Sequence, residues 1–153
     1  MRKFYILIGM WLYPILLPLM RIVIRRTNRA YVAIVYEKQV ILIKNWLARD
    51  TWRLPGGGVS RGEDPKASVL REVKEELRLV LSESKLIKLN EGIMKTDRLG
   101  YRFAHYAYVL DTFPRRLEDQ YEIVDYGLYS EPPKDTQAEV LEVIGLLRKR
   151  KLL

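Results

Sequence analysis

The pattern of apolar and polar positions predicts short strands with two helices between them. Two β-branched runs, 30–36 and 39–43, are joined by Glu37-Lys38, which predicts a β-hairpin. Strand patterns also cover 51–54, 85–95, 101–110 and 123–129. Apolar residues at helical spacing predict one helix from Asp64-Pro65 to about Leu77 and another over 138–149. The predicted fold class is therefore mixed α/β (α+β).

An uncharged apolar segment precedes these elements. Residues 4–20 are 17 consecutive residues without a charge, and the apolar character continues to residue 24. A membrane-spanning helix needs about 20 apolar residues, with roughly 17 as the lower limit. Basic residues border the run on both sides: Arg2, Lys3, Arg21, Arg25, Arg26 and Arg29. We therefore expect residues 1–28 to form an apolar N-terminal helix that anchors the chain to a membrane through residues 4–24, separate from a domain over 29–153.

Two other interpretations of this segment stay open. Pro14 and Pro18 interrupt a straight helix, so the alternative is an arm packed on the domain or in a homodimer interface. A cleaved signal peptide is disfavoured because no small-x-small site follows the apolar run. If the segment spans the membrane, the arginines after it place the domain on the cytoplasmic side. If it packs on the domain, we expect the chain to be cytoplasmic.

The charge of the chain lies at its two ends. The 153 residues include 27 Lys+Arg, 19 Asp+Glu and no cysteine, for a formal net charge of +8. Residues 1–29 hold six basic residues and no acid, and 148–151 hold four more, which leaves 17 basic residues against all 19 acids between them. A surface built throughout to bind nucleic acid is therefore disfavoured. The lack of cysteine excludes disulfides and thiolate metal sites.

Three glutamates on the first predicted helix are the strongest chemical signal. Glu72, Glu75 and Glu76 are spaced i, i+3 and i+4, which places three carboxylates on one helical face, away from the apolar stripe. Like charges at these spacings destabilise a helix by about 0.2–0.5 kcal/mol each unless a cation neutralises them. Carboxylate oxygens suit Mg²⁺ or Mn²⁺. A solvated acidic face is the alternative for this triplet taken alone.

The glutamates belong to a longer pattern. It comprises Gly57, five residues, Glu63, seven residues, Arg71-Glu72-Val73, one residue, Glu75-Glu76, one residue and Arg78-Leu79. This pattern resembles the Nudix box, with Arg78 in place of the closing glycine. Eight of nine defining positions match, and the flanking strand order extends the resemblance to roughly residues 30–149. Such a pattern is far more specific than a single glycine motif.

The resemblance implies a fold, a Nudix-like α/β/α sandwich with a mixed β-sheet. It also implies an activity, that of a metal-dependent hydrolase that cleaves a phosphoanhydride bond in a nucleoside diphosphate-linked substrate. Its catalytic residues are, by position, Glu63, Arg71, Glu72, Glu75 and Glu76. The implied ligands of Mg²⁺ or Mn²⁺ are the three helix glutamates and the Gly56 carbonyl. Glu63 and Arg71 match the pair that stabilises the family's loop-helix-loop.

Further site residues are predicted around the box. Arg53, Gly57 and Gly58 are expected to contact substrate. The general base is either Glu72 or an acid of a later loop, for which the candidates are Glu118, Asp119 and Glu122. His105, the one histidine of the chain, is expected to be a packed sheet residue. At Arg78, either the helix continues or the residue takes a strained left-handed turn.

The sequence leaves the substrate open. We expect a membrane-associated enzyme acting on a nucleotide-derived small molecule. The alternatives are a tethered Nudix-fold nucleotide sensor without turnover, or a pyrophosphohydrolase of RNA ends, which the acidic body of the chain counts against. Family signatures for ADP-ribose and diadenosine polyphosphates are absent, since Met94 and residues 95–97 stand at those places.

Overall fold

The computed structural model describes residues 28–46, 50–96, 99–113 and 123–153. The strands are β1 (Asn28–Tyr36), β2 (Gln39–Asn45), β3 (Gly56–Val59), β4 (Ile87–Thr96), β5 (Leu99–Val109) and β6 (Ile123–Tyr129). The helices are α1 (Pro65–Leu77) and α2 (Ala138–Lys149), with a 3₁₀ turn at Glu83–Lys85. Within these residues, no helix is long and apolar enough to cross a membrane. The predicted anchor at residues 4–24 lies outside the described residues.

The predicted hairpin is confirmed. Strands β1 and β2 pair antiparallel, with Val35 opposite Val40 and Tyr36 opposite Gln39. The two turn residues both have positive φ, 46° at Glu37 and 62° at Lys38. Two consecutive residues of this kind form a turn whose twist matches that of the flanking strands. A two-residue connection therefore sets the register of the central pair of strands.

All six strands form one mixed sheet with the order β4-β5-β1-β2-β6, and β3 pairs with β1 off this path. Strand β1 pairs parallel with β5 and antiparallel with β2 and β3. Its first half, from Asn28 to Tyr31, pairs with β3, whereas its end pairs with β2. The divergence of β2 from the start of β1 makes room for β3, which carries the glycine triplet.

The two faces of the sheet carry separate cores, which confirms the α/β/α arrangement. Alternate residues of β1 point to opposite faces because the side-chain period of a strand is two. Ala30, Val32 and Ile34 pack with α1 residues such as Val73. Tyr31, Ala33 and Val35 pack under α2, with Val140, Val143 and Leu147. Helix α1 therefore covers one face and α2 the other.

The strand predicted at residues 51–54 is wrong in extent. Only isolated bridges occur there, Arg53 with Ile43 and Trp52 with Thr136. The strand of this region is β3, on the glycines that follow. A Cβ on Gly56 would lie 2.3 Å from the Ala30 carbonyl oxygen, so only glycine permits the approach to β1. Glycine has low strand propensity, and the sequence pattern therefore indicated a strand ending before it.

Candidate functional site

The first predicted site element is the loop that leads into α1. Asp64 caps the helix, since its side chain accepts a hydrogen bond from the Lys66 backbone N–H at 2.7 Å. Pro65 occupies the first helical turn, as predicted. Just before the cap, the Glu63 carboxylate accepts from the Ser60 backbone N–H at 2.8 Å. The loop thus closes on itself before the helix begins.

Glu63 and Arg71 form the ion pair that the sequence predicted. Arg71 Nε and Nη2 donate to the two oxygens of Glu63 at 3.0 and 3.1 Å. The hydrogen bond from Arg71, together with the one from Ser60, lowers the pKa of Glu63 from 4.5 to about 2. Arg71 Nη2 also donates to the Gly58 carbonyl oxygen at 3.1 Å. One guanidinium therefore joins the loop, strand β3 and helix α1.

The three box glutamates have different surroundings. Arg71 Nη1 contacts Glu72 Oε1 at 2.8 Å and Glu75 Oε2 at 3.3 Å. Glu76 is buried, with 5% of its surface exposed, and its carboxylate accepts from the Gly56 backbone N–H at 2.9 Å. The sequence placed the glutamate face away from the apolar stripe, and Glu76 is nevertheless buried because β3 packs over the helix at that turn.

Strand β3 supplies the other wall of the site. Gly56 has φ +131°, and a Cβ at Gly57 would lie 2.8 Å from the carboxylate atoms of Glu72. Glycine at both positions lets backbone and carboxylate approach each other closely. Arg53 Nη2 donates to the Gly56 carbonyl oxygen at 2.9 Å. The structure thus brings Glu72, Glu76, Gly56 and Gly57 together.

The residues at this point fit a hard divalent cation by their chemistry. The donors are carboxylate and carbonyl oxygens, the set that Mg²⁺ and Mn²⁺ prefer. The Glu72 carboxylate occupies the space that a side chain at position 57 would need. Arginines contact the same oxygens, Arg71 at Glu72 and Glu75 and Arg53 at Gly56. Among the described residues, no group of three or more acidic or histidine side chains is already arranged around a common point.

Two arginines and two tyrosines lie next to the glycines of β3. Arg29 Nη1 donates to the Tyr31 hydroxyl at 3.3 Å and lies over the ring of Tyr101, 5.5 Å from its centroid. Arg53 lies 6.0 Å from the centroid of the Tyr31 ring. Burial raises the pKa of Tyr101 to about 12, so its hydroxyl keeps its proton at neutral pH. The result is a cationic and aromatic patch beside Gly56.

Sequence reasoning found part of this patch. Arg53 was predicted as a substrate contact, but Arg29 was counted only among the charges that follow the apolar segment. The signal for Arg29 is its place at the start of β1, two residues before Tyr31 and therefore on the same face of the strand. The proposed distal bases Glu118, Asp119 and Glu122 lie outside the described residues.

The fold and this site define the family to which the chain belongs. A family model described as NUDIX domain matches residues 26–142. The chain therefore belongs to the Nudix family, as the box predicted.

The sequences of curated relatives match parts of the chain. An RNA pyrophosphohydrolase of Ruthia magnifica is 32% identical over 79 residues, which are 50% of this chain and 44% of the relative. Human diphosphoinositol polyphosphate phosphohydrolase 2 is 33% identical over 91 residues, 60% of this chain and 47% of the relative. The aligned part spans about half the length of each of these relatives.

Solved structures share the fold over most of the chain. A MutT NUDIX hydrolase from Burkholderia pseudomallei superposes with a TM-score of 0.68 at 20% identity. The match covers 79% of this chain and 97% of that one. At this identity the likeness establishes the fold and leaves the substrate to be argued from the site.

Proposed function

We propose that the chain is a metal-dependent Nudix pyrophosphohydrolase that cleaves a phosphoanhydride bond in a nucleoside diphosphate-linked substrate. The observation that carries the proposal is the convergence of two box carboxylates on the glycine strand, Glu72 against Gly57 and Glu76 on the Gly56 N–H. The names of two curated relatives, an RNA pyrophosphohydrolase and a diphosphoinositol polyphosphate phosphohydrolase, support the same reaction class.

Glu72, Glu75, Glu76 and the Gly56 carbonyl would hold Mg²⁺ or Mn²⁺. When bound, such a cation polarises phosphoryl oxygens and lowers the pKa of a coordinated water. Arg71 holds the loop through Glu63 and orients Glu72 and Glu75 at the same time. Its role is therefore to position carboxylates that repel one another.

The arginine pair supports a substrate with several phosphates. Arg29 and Arg53 are half-buried and contact the same ring, Tyr31. Within the described residues, neither makes an ion pair with a carboxylate, which leaves guanidinium donors for an anion. Guanidinium groups bind phosphate oxygens in pairs of hydrogen bonds. We therefore place the phosphate chain between Gly56 and these arginines, with Gly57 and Gly58 as further backbone contacts.

The general base is part of the proposal. Glu72 is a candidate at the site, and the acids Glu118, Asp119 and Glu122 stay candidates from the later loop. A base must lie within hydrogen-bond reach of the attacking water. Separate glutamine or asparagine variants of the four, compared by the pH dependence of kcat, identify the group whose loss removes the acidic limb of the profile.

A hydrolysis panel tests the activity. The full chain is incubated with Mg²⁺ and ADP-ribose, dinucleoside polyphosphates, nucleoside triphosphates, 5′-triphosphorylated RNA or a diphosphoinositol polyphosphate, and phosphate or nucleotide release is measured. For the substrate that is cleaved, Glu75→Gln and Glu76→Gln should each lower kcat/KM by about 100-fold or more. Glu83→Gln, an exposed acid on the 3₁₀ turn, is the matched control. Absence of metal-dependent release from every compound would contradict the enzyme and favour the sensor.

A pyrophosphohydrolase of RNA ends is the second candidate. The RNA pyrophosphohydrolase named among the relatives favours it, and the arginine pair suits a 5′-triphosphate. The panel separates the two candidates, because an RNA-end enzyme should cleave triphosphorylated RNA with higher kcat/KM than it cleaves the free nucleoside triphosphate.

Membrane attachment through residues 4–24, with the domain facing the cytoplasm, is also part of the proposal. It rests on the 17 uncharged residues and the arginines that follow them. Carbonate extraction of membranes from expressing cells should leave the chain in the pellet, whereas release into the soluble fraction would favour the packed arm. Light scattering of the purified chain tests the homodimer.

A further inference from the structure

A row of register partners runs across four strands on the α2 face of the sheet. Asn90 of β4 pairs with His105 of β5, His105 with Tyr31 of β1, and Tyr31 with Gly56 of β3. The register shifts between Lys88 and Asn90, and such a bulge re-aims the side chain that follows it. Asn90 consequently reaches His105. The row leads from the outer strand of the sheet to the proposed phosphate site.

His105 lies at the centre of this row and is fully buried, with 0% of its surface exposed. Its Nδ1 contacts Asn90 Oδ1 at 2.7 Å. Its Nε2 contacts Glu139 Oε1, from the first turn of α2, at 2.6 Å. Its ring stacks against Tyr31, with centroids 5.9 Å apart and an angle of 30° between the planes. The ring of Phe103 also lies against it, with centroids 4.8 Å apart. Both nitrogens and the ring of His105 therefore have partners.

The partners of His105 determine how many protons it carries. A carboxylate only accepts hydrogen bonds, so Nε2 must donate to Glu139. Asn90 Nδ2 donates to Glu142 Oε1 at 3.1 Å, which turns the Asn90 carbonyl oxygen toward Nδ1. Nδ1 must donate as well. An imidazole with a proton on each nitrogen is a cation, and Glu139 is the carboxylate that contacts this ring.

We propose that His105 is a positioning residue: an imidazolium held between Glu139 and Asn90 that fixes the ring of Tyr31 and, through it, the two arginines of the phosphate site. Arg29 bonds the Tyr31 hydroxyl, and Arg53 lies over the same ring. The role of Tyr31 toward substrate rests on the proposed function. The charged state of His105 and its contact with Tyr31 do not depend on the proposed function.

The charged groups around His105 determine whether the charged form of its ring is favoured. Glu139 faces it from α2, with Glu142 behind Asn90, and these are the negative groups of the network. Arg29, on β1, is a cation of the same face, where it bonds the Tyr31 hydroxyl and lies over the ring of Tyr101. Removing the Glu139 charge leaves a buried imidazolium without the carboxylate that contacts it, so the ring should lose a proton.

Nuclear magnetic resonance tests the charged state directly, because the chain has one histidine. The full chain, purified without a histidine tag and labelled with ¹⁵N-histidine, should show both ring nitrogens protonated at pH 7. Nuclear Overhauser contacts should join its ring protons to those of one tyrosine and disappear in Tyr31→Leu. A neutral ring in the wild-type chain, or no contact with Tyr31, would overturn the proposal.

Three variants separate positioning from a merely structural role. In Glu139→Gln, one ring nitrogen should lose its proton, and KM for the substrate found by the panel should rise by about 10-fold with kcat within about 2-fold. Adding Asn90→Asp to that variant moves the carboxylate to the other side of the ring and should restore both the charged ring and KM. Glu131→Gln, which removes an exposed acid paired with Arg148, is the control and should change neither.

The experiments distinguish failure of the proposed function from failure of the proposed role of His105. If no compound of the panel is cleaved while the charged ring and the Tyr31 contact are present, the proposed function fails and the placement of His105 stands. If Glu139→Gln keeps the charged ring, or loses it without a change in KM on a cleaved substrate, His105 does not position the site.

Discussion

At the scale of single residues, Gly56 is the position where backbone conformation and site geometry meet. Its φ of +131° is rarely open to residues with a side chain, and a Cβ there would lie 2.3 Å from the Ala30 carbonyl oxygen and 2.8 Å from Tyr31 Cα. Gly58, two residues on, has no atom within 4 Å of such a Cβ. The two glycines therefore offer a comparison in which the same substitution meets opposite surroundings.

We expect Gly56→Ala to destabilise the fold by at least about 3 kcal/mol, because it adds backbone strain and forces β3 away from β1. Gly58→Ala should change the free energy of unfolding by less than about 1 kcal/mol. Urea unfolding of both variants checks the difference. Equal effects at the two positions would show that the close approach of β3 to β1 does not occur in solution.

Glu63 gives the site a defined response to acid. Its pKa falls from 4.5 to about 2 in the folded chain, so the folded state favours the charged carboxylate. The stabilisation is present above about pH 4.5 and is lost as the pH falls toward about 2. We expect Glu63→Gln to be less stable than wild type at pH 7 and the difference to shrink by pH 3. Urea unfolding at both pH values checks this, and a difference that stays constant would contradict the pair with Arg71.

At the scale of elements, the end of α1 shows how the chain accommodates its one departure from the box. The helix ends at Leu77, and Arg78 takes the left-handed conformation, φ 54° and ψ 23°. Of the two predicted alternatives, the left-handed turn is therefore correct. Arg78 therefore adopts the conformation that glycine usually takes at a helix end, although this conformation costs a residue with a side chain about 1 kcal/mol.

Replacing Arg78 by glycine should therefore raise the free energy of unfolding by up to about 1 kcal/mol. Arg78→Ala keeps the strain and removes the guanidinium, so it reports on what the side chain contributes. Thermal unfolding of both variants distinguishes the two effects. If Arg78→Gly is less stable than Arg78→Ala, the left-handed conformation carries no strain at this helix end.

At the scale of the whole molecule, α2 ties the outer strand to the centre of the sheet. Arg150, just after the helix, donates to the carbonyl oxygens of Lys88 and Leu89 at 2.8 and 3.0 Å. Those carbonyls belong to the bulge of β4, where ladder pairing is interrupted. Arg148 pairs with Glu131. The side chains of two of the four basic residues over 148–151 therefore have partners within the domain.

Arg150→Gln should destabilise the domain by about 1–3 kcal/mol, since it removes two charge-assisted hydrogen bonds from the bulge carbonyls. Lys149→Gln, an exposed neighbour, should have an effect within about 0.5 kcal/mol. Hydrogen exchange of β4 amides locates the change. Exchange that is unaltered in β4 would mean that Arg150 does not hold the bulge.

Local signals predicted much of this architecture. The hairpin at Glu37-Lys38, the cap at Asp64 and the extent of α2 all depend on neighbours within a few residues, and all three are confirmed. The placement of β3 depends on β1, some 25 residues earlier, and glycine has no strand signal of its own. It therefore could not be predicted from local pattern.

The sequence by itself determined the family and the box helix with its three glutamates, because these are set by spacing along one loop and one helix. The resemblance to the box then implied the Glu63–Arg71 pair. Only the tertiary structure decided which other groups join them. Sheet register places Arg29 and Tyr31 beside the glycines of β3, and the packing of α2 on the sheet buries His105 between Asn90 and Glu139. Contacts between strands and helices that are distant in the chain follow from burying two apolar faces at once, and spacing within any one segment does not encode them.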